Sequence, residues 1–260
     1  MQISPNQMES MKDLSCTVCE GVCEPLDVVD FNKSCEEQRK LFLPLSGHAV
    51  YYYLCNQCGF CFAPELYQWS LEKFAKKIYN DGYEQIDPDY RKIRPEANAN
   101  HINQMFLGKQ TAIKHLDYGG GNGLLSDLLK ESKWDSSSYD PFVNHDIDIK
   151  TLGKFDLITA FEVFEHVPDA NELMSQLNLL IEKEGVILFS TLVSDGHIEK
   201  NKRLDWWYAS PRNGHISLFS KNALAILAKK HRFNMGSFSA GFHVLFKQVP
   251  NWAAHIIKTQ

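Results

Sequence analysis

Residues 115–123 read HLDYGGGNG, a short apolar run that meets four glycines. The sequence LLSDLL follows at residues 124–129 and has the apolar spacing of a helix. The stretch therefore predicts a strand, a tight turn and a helix. Glycines permit a sharp turn and a close approach of the backbone to a ligand, and free amide groups at a helix start attract an anion. We expect a small molecule to bind at this turn.

The glycine spacing argues against a nicotinamide dinucleotide. Gly119, Gly121 and Gly123 are spaced G-x-G-x-G, whereas the dinucleotide fingerprint is G-x-G-x-x-G. The sequence SSSYDP at residues 136–141 predicts a brief second strand that ends at Asp140. A carboxylate about 20 residues after such a turn binds ribose hydroxyls in α/β nucleoside-binding folds. The turn and Asp140 together favour a cofactor that contains a nucleoside.

Strand and helix patterns alternate through the rest of the chain. A third strand, FDLITAF at 155–161, runs directly into the polar stretch EVFEHVPD at 162–169. The later patterns predict a helix capped by Asp169 and ended by Gly185 over 170–183, a strand over 186–192, a helix over 220–232 and a hairpin around Ser237 and Val244. This alternation predicts an α/β fold, with a mostly parallel sheet that is covered by helices on both faces.

The ordered set DYGGGNG, YDP and FDLITAFEVFEHVPD resembles the class I S-adenosylmethionine-dependent methyltransferases, over about residues 97–260. The resemblance implies a Rossmann-like sheet and S-adenosyl-L-methionine as the cofactor. It implies the following cofactor-binding residues: Asp117, Gly119, Gly120, Gly121, Asn122, Asp140, Pro141 and Glu162.

All seven cysteines lie between Cys16 and Cys61. An odd number in a reducing compartment argues against a disulfide framework, whereas two C-x-x-C pairs offer thiolates suited to tetrahedral zinc. We expect Zn²⁺ to be bound by Cys16, Cys19, Cys55 and Cys58, with Cys23, Cys35 and Cys61 as packing thiols. The alternative is that all seven are reduced core cysteines.

The cysteine-rich segment looks like the N-terminal zinc-binding module of some sugar methyltransferases, since YxxCxxCGF stands at residues 52–60. This predicts a zinc-ribbon-like module at 1–68, a helical linker or lid at 69–110 and a methyltransferase domain at 111–260. Two roles are open for the module: it stabilises the fold, or it covers the active site.

The linker pattern predicts a helix over 69–82, a loop over 83–95 and a further helix over 97–109. In related methyltransferases this segment closes over the cofactor. The resemblance therefore implies that the cofactor is faced by Tyr79, Tyr83, Tyr90 and Arg94. The alternative is a solvated linker.

Candidate catalytic residues follow the third strand. Methyl transfer from a sulfonium requires alignment above all, and a protonated acceptor also requires a base. One helical turn would place Glu162 and His166 on the same side. The catalytic candidates are Glu165, His166 and His215, with His215 narrowly favoured as the base and a structural role for His166 as the alternative.

An aromatic cluster lies in the stretch DWWYASPRNGHISLFS at 205–220. Trp206, Trp207 and Tyr208 offer flat faces to an apolar or sugar-like acceptor, and Arg212 suits a phosphate or carboxylate. Alternatively, the Trp pair packs at the sheet edge and Asn213-Gly214 is only a turn.

The amino-acid composition limits the classes of partner that the protein is expected to bind. A net charge of −5 gives no general attraction to nucleic acid. The sequence has neither an apolar run of membrane-spanning length nor a signal-peptide pattern at its start, which predicts a cytoplasmic protein without membrane contact. We expect methyl transfer to a hydroxyl or carbon of a small molecule such as a sugar, a nucleotide-sugar or another metabolite. The rivals are an inactive zinc-ribbon and methyltransferase-like scaffold, and methylation of RNA or protein.

Overall fold

The computed structural model describes residues 14–257, and the N-terminal residues 1–13 and the last three lie outside it. The strands are β1 Leu14–Ser15, β2 Val22–Asp30, β3 Ala49–Cys55, β4 Cys61–Phe62, β5 Lys114–Tyr118, β6 Asp135–Tyr139, β7 Phe155–Phe161, β8 Ile181–Ser190, β9 Ser217–Leu218, β10 Asn234–Ser237 and β11 Phe242–Phe246. The helices are α1 Leu71–Lys77, α2 Tyr83–Ile86, α3 Ile93–Met105, α4 Leu124–Glu131, α5 Ala170–Leu180 and α6 Lys221–Lys230. Within residues 14–257, no helix has the length and apolar character needed to cross a bilayer.

The larger sheet has six strands in the order β10-β11-β8-β7-β5-β6. Strands β6, β5, β7 and β8 are parallel, and the hairpin of β10 and β11 adds two antiparallel strands. After β5 the chain passes first to β6 on one side and then to β7 on the other. Ligands bind outside the carboxyl ends of strands at such a reversal of order. The predicted Rossmann-like sheet and its closing hairpin are confirmed.

Alternate residues of the central strands face opposite core layers. Ile158 and Ile187 pack in the layer that contains the buried side chains of α5 and α6. Leu157 and Leu188 pack in the layer that contains those of α3 and α4. Full burial of each such side chain stabilises the fold by about 1.5 to 3 kcal/mol. Helices therefore cover both faces, as the alternating pattern predicts.

A second sheet joins the cysteine-rich segment to the rest of the chain. Its five strands are ordered β1-β2-β3-β4-β9, so its last strand comes from the far end of the sequence. Cys61 pairs with Leu218, and Phe62 pairs with Ser217. The fully buried ring of Phe60 lies 5.2 Å from that of Phe62 and 4.8 Å from that of Phe219. The predicted module and the predicted methyltransferase domain thus share a sheet and a core layer.

The linker contains more helix than the sequence pattern predicts. Helix α1 is shorter than the predicted span, and Ser70 caps it by accepting a hydrogen bond from the Lys73 amide at 3.2 Å. The predicted loop over 83–95 is wrong at both ends, because α2 fills its start and α3 begins at Ile93. Pro95 fits inside α3 because it lies in the first turn, where backbone amides have no intrahelical partner.

The boundary between α5 and β8 also differs from the prediction. Asp169 caps α5 as predicted, accepting from the amides of Asn171 and Glu172. The helix then ends at Leu180, and Ile181 already pairs with Phe155 of β7. Pairing with β7 overrides the helix propensity of the Glu-Lys-Glu stretch that follows, so the predicted helix end at Gly185 is wrong.

We predict that Phe60→Ala destabilises the cysteine-rich segment and the core together, because the ring packs against residues of both. The cost should be about 3 to 5 kcal/mol of unfolding free energy. Urea denaturation followed by tryptophan fluorescence measures it. The matched control is Phe42→Ala, since the Phe42 side chain is 67% exposed. A separate early transition that leaves the main transition unchanged would contradict a shared core.

Candidate functional site

The glycine turn, residues 119–123, follows the carboxyl end of β5. It packs closely against the ends of β6 and β7. A Cβ atom on Gly120 would stand 2.3 Å from Asp117 Oδ2 and 2.4 Å from Ser138 Oγ. A Cβ on Gly119 would stand 2.5 Å from Val163 Cγ2, and Gly119 also has a φ of 74°. No side chain fits at either position without displacing its neighbours. Gly121, in contrast, is exposed with open space around it.

Asp140 ties the glycine turn to the end of β6. Its Oδ2 accepts a hydrogen bond from the Gly121 amide at 3.0 Å, and its Oδ1 accepts one from the Phe142 amide at 2.8 Å. The side chain is half-buried at the carboxyl ends of β5, β6 and β7, a region called the crevice below, and each carboxylate oxygen can accept a further bond. Asn122 is exposed in the turn, and Pro141 is half-buried beside Asp140.

Asp117 lies under the turn rather than in the crevice. Its buried carboxylate accepts a hydrogen bond from the Thr159 hydroxyl at 2.8 Å. Burial raises the pKa of Asp117 to about 7, with the charge of Asp140 adding to the effect. Asp117 therefore packs beneath Gly120 and holds the glycine turn in place. Thr159 and Ser138 were missed by the sequence analysis, because a hydroxyl inside a strand gives no separate signal.

Glu162 follows β7 in an unusual backbone conformation. Its φ is 53°, in the left-handed region that non-glycine residues rarely adopt. Ser190, at the end of β8, accepts from the Glu162 amide at 2.8 Å and donates to Glu162 Oε1 at 2.7 Å. The chain therefore turns at Glu162, and the helical turn that follows is a short 3-10 turn over Phe164–His166. The expectation that one helical turn carries both Glu162 and His166 is wrong for this reason.

Glu165, His166 and His215 form one cluster, in which a ligand atom from each lies within 4.8 Å of the others. Glu165 is fully buried and its Oε1 accepts from the Tyr208 hydroxyl at 2.5 Å. Its Oε2 has no hydrogen-bond partner among the described residues. The imidazole rings of His166 and His215 stand 4.9 Å apart. The structure thus brings together the three predicted catalytic side chains.

The two histidines differ in access to solvent. The His166 side chain is 17% exposed, whereas His215 is 5% exposed and lies behind it. Burial and Arg94 lower the pKa of His166 to about 4, and burial and His166 lower that of His215 well below its usual range. Burial, together with Glu162, raises the pKa of Glu165 well above its usual range. Both imidazoles are therefore neutral at physiological pH.

Backbone carbonyls orient both rings. His166 Nδ1 lies 3.2 Å from the Gly214 carbonyl oxygen, and His215 Nδ1 lies 2.8 Å from the Tyr208 carbonyl oxygen. A carbonyl oxygen only accepts, so each Nδ1 carries the hydrogen and each Nε2 keeps its lone pair. The Tyr79 hydroxyl also lies 3.1 Å from His166 Nδ1.

The predicted acceptor-binding residues are mostly packed inside the protein. Trp206 is buried and stacks on His197 at 4.8 Å, and Tyr208 is buried against Glu165. Arg212 is buried and donates to the Ile78 carbonyl at 3.1 Å. Trp207 alone of the four is half-exposed. Acceptor binding by this group stays a prediction, and burial leaves Trp207 with the most available face.

The linker packs against the same edge of the sheet. The ring of Tyr79 lies 5.1 Å from that of Phe142, and the Tyr83 hydroxyl donates to the Asn213 carbonyl at 3.2 Å. The ring of Tyr90 lies 5.0 Å from that of Tyr83, and Arg94 pairs with Asp87 at 2.5 Å. These side chains therefore pack against the rest of the protein and do not form a solvated linker, while their contact with the cofactor stays a prediction.

The four cysteines of the two C-x-x-C pairs converge. The sulfur of Cys16 lies 3.6 Å from that of Cys58, and the sulfur of Cys19 lies 3.4 Å from that of Cys55. Zinc–sulfur bonds of about 2.3 Å in a tetrahedron separate neighbouring sulfurs by about 3.8 Å, so these two separations are somewhat shorter than, and compatible with, those around a zinc ion. None of Cys23, Cys35 and Cys61 belongs to this group.

The two cysteine pairs also share a turn geometry. The amide of Glu20 donates to the Cys16 carbonyl at 2.9 Å, and the amide of Gly59 donates to the Cys55 carbonyl at 3.0 Å. Both donors have positive φ, 65° at Glu20 and 74° at Gly59. Each pair of thiols is thus presented by the same kind of tight turn.

Curated relatives of this chain are named as O-methyltransferases. The ubiquinone biosynthesis O-methyltransferase of Coxiella burnetii (strain Dugway 5J108-111) is 30% identical over 126 residues, which cover 39% of this chain and 54% of that protein. That of Erwinia tasmaniensis is 29% identical over 147 residues, covering 48% and 55%. The chain therefore spans about half the length of the curated relatives it matches.

A similar solved structure is the 1,6-didemethyltoxoflavin-N1-methyltransferase of Burkholderia thailandensis, with a TM-score of 0.48, 15% identity and coverage of 77% of this chain and 94% of that one. The methyltransferase 23 family, described as a methyltransferase domain, matches residues 90–237, more than half of the sequence. The chain belongs to this methyltransferase domain family.

Proposed function

We propose that the protein transfers a methyl group from S-adenosyl-L-methionine to a hydroxyl of a small molecule. The observation that carries the proposal is the meeting of the glycine turn, Asp140 and Glu162 at adjacent strand ends, in a chain of this family. The relatives named for ubiquinone biosynthesis favour an oxygen acceptor over a carbon or a nitrogen. Intermediates of ubiquinone biosynthesis are therefore the first acceptors to test.

The cofactor would lie along the crevice edge, held by this chain's own polar groups. The exposed backbone of Gly121 leaves room for close approach, and the free lone pairs of Asp140 suit the ribose hydroxyls. Glu162 offers a second carboxylate, fixed by Ser190. When bound, the cofactor supplies a methyl group already activated on a sulfonium, so alignment by these residues is the main demand on the protein.

Removal of the acceptor proton is assigned to the cluster of Glu165, His166 and His215. His166 is its most exposed member, so we now favour it over His215 as the group that meets the acceptor. Its neutral Nε2 can accept a proton, since Nδ1 is held by the Gly214 carbonyl. A pKa of about 4 makes this imidazole a weak base, however.

The cysteine cluster is proposed to hold one structural Zn²⁺. Its four sulfurs leave no open coordination position, which is typical of structural rather than catalytic zinc. The ion would supply folding energy to the turns that start the second sheet. A role in fold stability is favoured over a lid. The reason is that β4 of this sheet is hydrogen-bonded to β9, so the segment cannot move as a lid without breaking that pairing.

We predict that Asp140→Ala weakens S-adenosylmethionine binding. Loss of hydrogen bonds to a charged group costs about 1.5 to 3 kcal/mol, or about 10- to 150-fold in Kd. Isothermal titration calorimetry measures the affinity. Asp135→Ala is the matched control, because Asp135 is exposed at the opposite end of the same strand. Equal affinity in the Asp140 variant and the wild type would remove the assignment.

We predict that Cys58→Ser lowers the zinc content of purified protein by one ion per chain. Elemental analysis measures this directly. Cys61→Ala should keep the zinc, since Cys61 is a buried thiol outside the cluster. If both variants carry as much zinc as the wild type, the four thiols are packing groups only.

We predict that His166→Gln lowers turnover by about 100- to 10,000-fold and leaves cofactor affinity nearly unchanged. The acceptor for the assay comes from a screen of metabolites with labelled cofactor. His231→Gln is the control, because its ring contacts Asn171 and lies outside the cluster of Glu165, His166 and His215. Near-normal turnover in the His166 variant would mean that the acceptor reacts without help from this cluster.

A further inference from the structure

We propose that His115 is a positioning residue of the glycine turn, which acts through the Thr159 hydroxyl on the carboxylate of Asp117. The part of this inference that concerns the cofactor rests on the proposed methyl transfer. The geometry that carries the inference is a continuous series of buried hydrogen bonds, which begins in the core and ends beneath Gly120.

The pairing of the central strands places the side chains of this series next to one another. His115 and Asp117 are two residues apart on β5, so both point to the same face of the sheet. His115 is directly opposite Ser136 of β6, and Asp117 is directly opposite Thr159 of β7. Helix α4 adds Ser126 on the same face. The register of the sheet therefore supplies the partners that buried polar side chains require.

The distances join five side chains, which we define as the His115 network: Ser126, Ser136, His115, Thr159 and Asp117. His115 Nε2 lies 3.0 Å from Thr159 Oγ1, and Thr159 Oγ1 lies 2.8 Å from Asp117 Oδ1. On the other side of the ring, Nδ1 lies 2.8 Å from Ser136 Oγ, and Ser126 Oγ lies 2.9 Å beyond that. No member is more than 5% exposed, so water does not replace these bonds.

The donors in the network must follow one direction, because each hydroxyl has a single hydrogen. The ionised Asp117 carboxylate only accepts, so Thr159 donates to it. The Thr159 oxygen then accepts from His115 Nε2, and His115 Nδ1 accepts from Ser136, whose oxygen the Ser126 hydroxyl can serve. Burial lowers the pKa of His115 to about 3, so the ring is neutral and has one hydrogen. The network therefore requires that this hydrogen is on Nε2.

The position of the Asp117 carboxylate matters because the space around it is narrow. Asp117 Oδ2 and Ser138 Oγ lie beneath Gly120, where an added Cβ would stand 2.3 and 2.4 Å from them. A buried carboxylate that loses a donor is unfavourable and will turn towards another one. Such a turn would press on Gly120, next to the Gly121 amide that is bound to Asp140. His115 thus acts on the cofactor site without touching the cofactor.

The alternative is that His115 only fills the core. Its ring centroid lies 6.0 Å from that of Trp134, and a leucine side chain would fill a similar volume. The two roles predict different behaviour. A residue that only packs requires neither a fixed tautomer nor energetic coupling to Thr159, whereas a positioning residue requires both.

The first test is the tautomer of His115, read from proton–nitrogen correlation spectra of isotope-labelled wild-type protein without cofactor. We expect a neutral ring with its hydrogen on Nε2. Comparison with the spectrum of His115→Gln assigns the signal. A hydrogen on Nδ1 alone would overturn the inference, because Thr159 would then donate to the ring instead of to Asp117.

The second test is S-adenosylmethionine affinity, measured by calorimetry. Thr159→Val removes the donor to Asp117, and His115→Leu leaves the Thr159 hydroxyl free to turn away, so each should weaken binding by about tenfold. The double variant should bind no more weakly than Thr159→Val, because the two residues act in series. His115→Gln keeps a donor and an acceptor and should stay within about threefold of the wild type. His231→Leu is the matched control, since its ring contacts Asn171 outside the His115 network.

Additive losses in the double variant would indicate two independent packing effects and would overturn the inference, as would wild-type affinity in His115→Leu. The wild-type spectrum decides even if the leucine variant fails to fold. The two proposals fail separately. A wild type that binds no S-adenosylmethionine refutes the methyl transfer, while the tautomer still tests the His115 network, and tight binding that is equal in all variants refutes only the role of His115.

Discussion

Backbone hydrogen bonds hold residues 215–218 from two sides, and the site depends on this double attachment. The Ala63 amide donates to the Ile216 carbonyl at 2.9 Å, and the Ile216 amide donates to the Glu165 carbonyl at 2.9 Å. The Ser217 hydroxyl donates to the Val167 carbonyl at 2.7 Å on the same edge. His215 is therefore fixed beside His166 by bonds from the second sheet on one side and from the turn after β7 on the other. Since the Ser220 hydroxyl also donates to the Cys58 carbonyl, a short piece of backbone links the cysteine turns to the imidazole cluster.

Local patterns in the sequence predicted most of the larger sheet. The apolar run before the glycines, the run at 155–161 and the cap Asp169 each have a short-range cause, so strands and helices were found near their actual positions. The convergence of the cysteines also followed from spacing alone. These features depend on neighbours in sequence, which a single chain displays directly.

Features that depend on distant partners could not be predicted. Strand β9 has two residues and no periodicity of its own, and it exists because β4 lies beside it. The same pairing buries His215, which the sequence favoured narrowly as the base. The early start of β8 likewise comes from its pairing with β7. Trp206 was expected to meet an acceptor, but the carbonyl oxygens of Trp206 and Ala209 bind the Lys33 ammonium at 2.7 and 2.9 Å and its ring packs inside.

The left-handed backbone at Glu162 lowers the stability of the fold at a position where we propose that the side chain binds the cofactor. A residue with a Cβ atom in this conformation costs about 1 to 2 kcal/mol, which glycine avoids. Selection of variants for heat resistance alone would therefore favour glycine here, at the expense of the carboxylate that Ser190 holds at the crevice edge. Engineering for thermostability should keep this position fixed, because a gain in melting temperature at Glu162 removes a carboxylate that we propose to bind the cofactor.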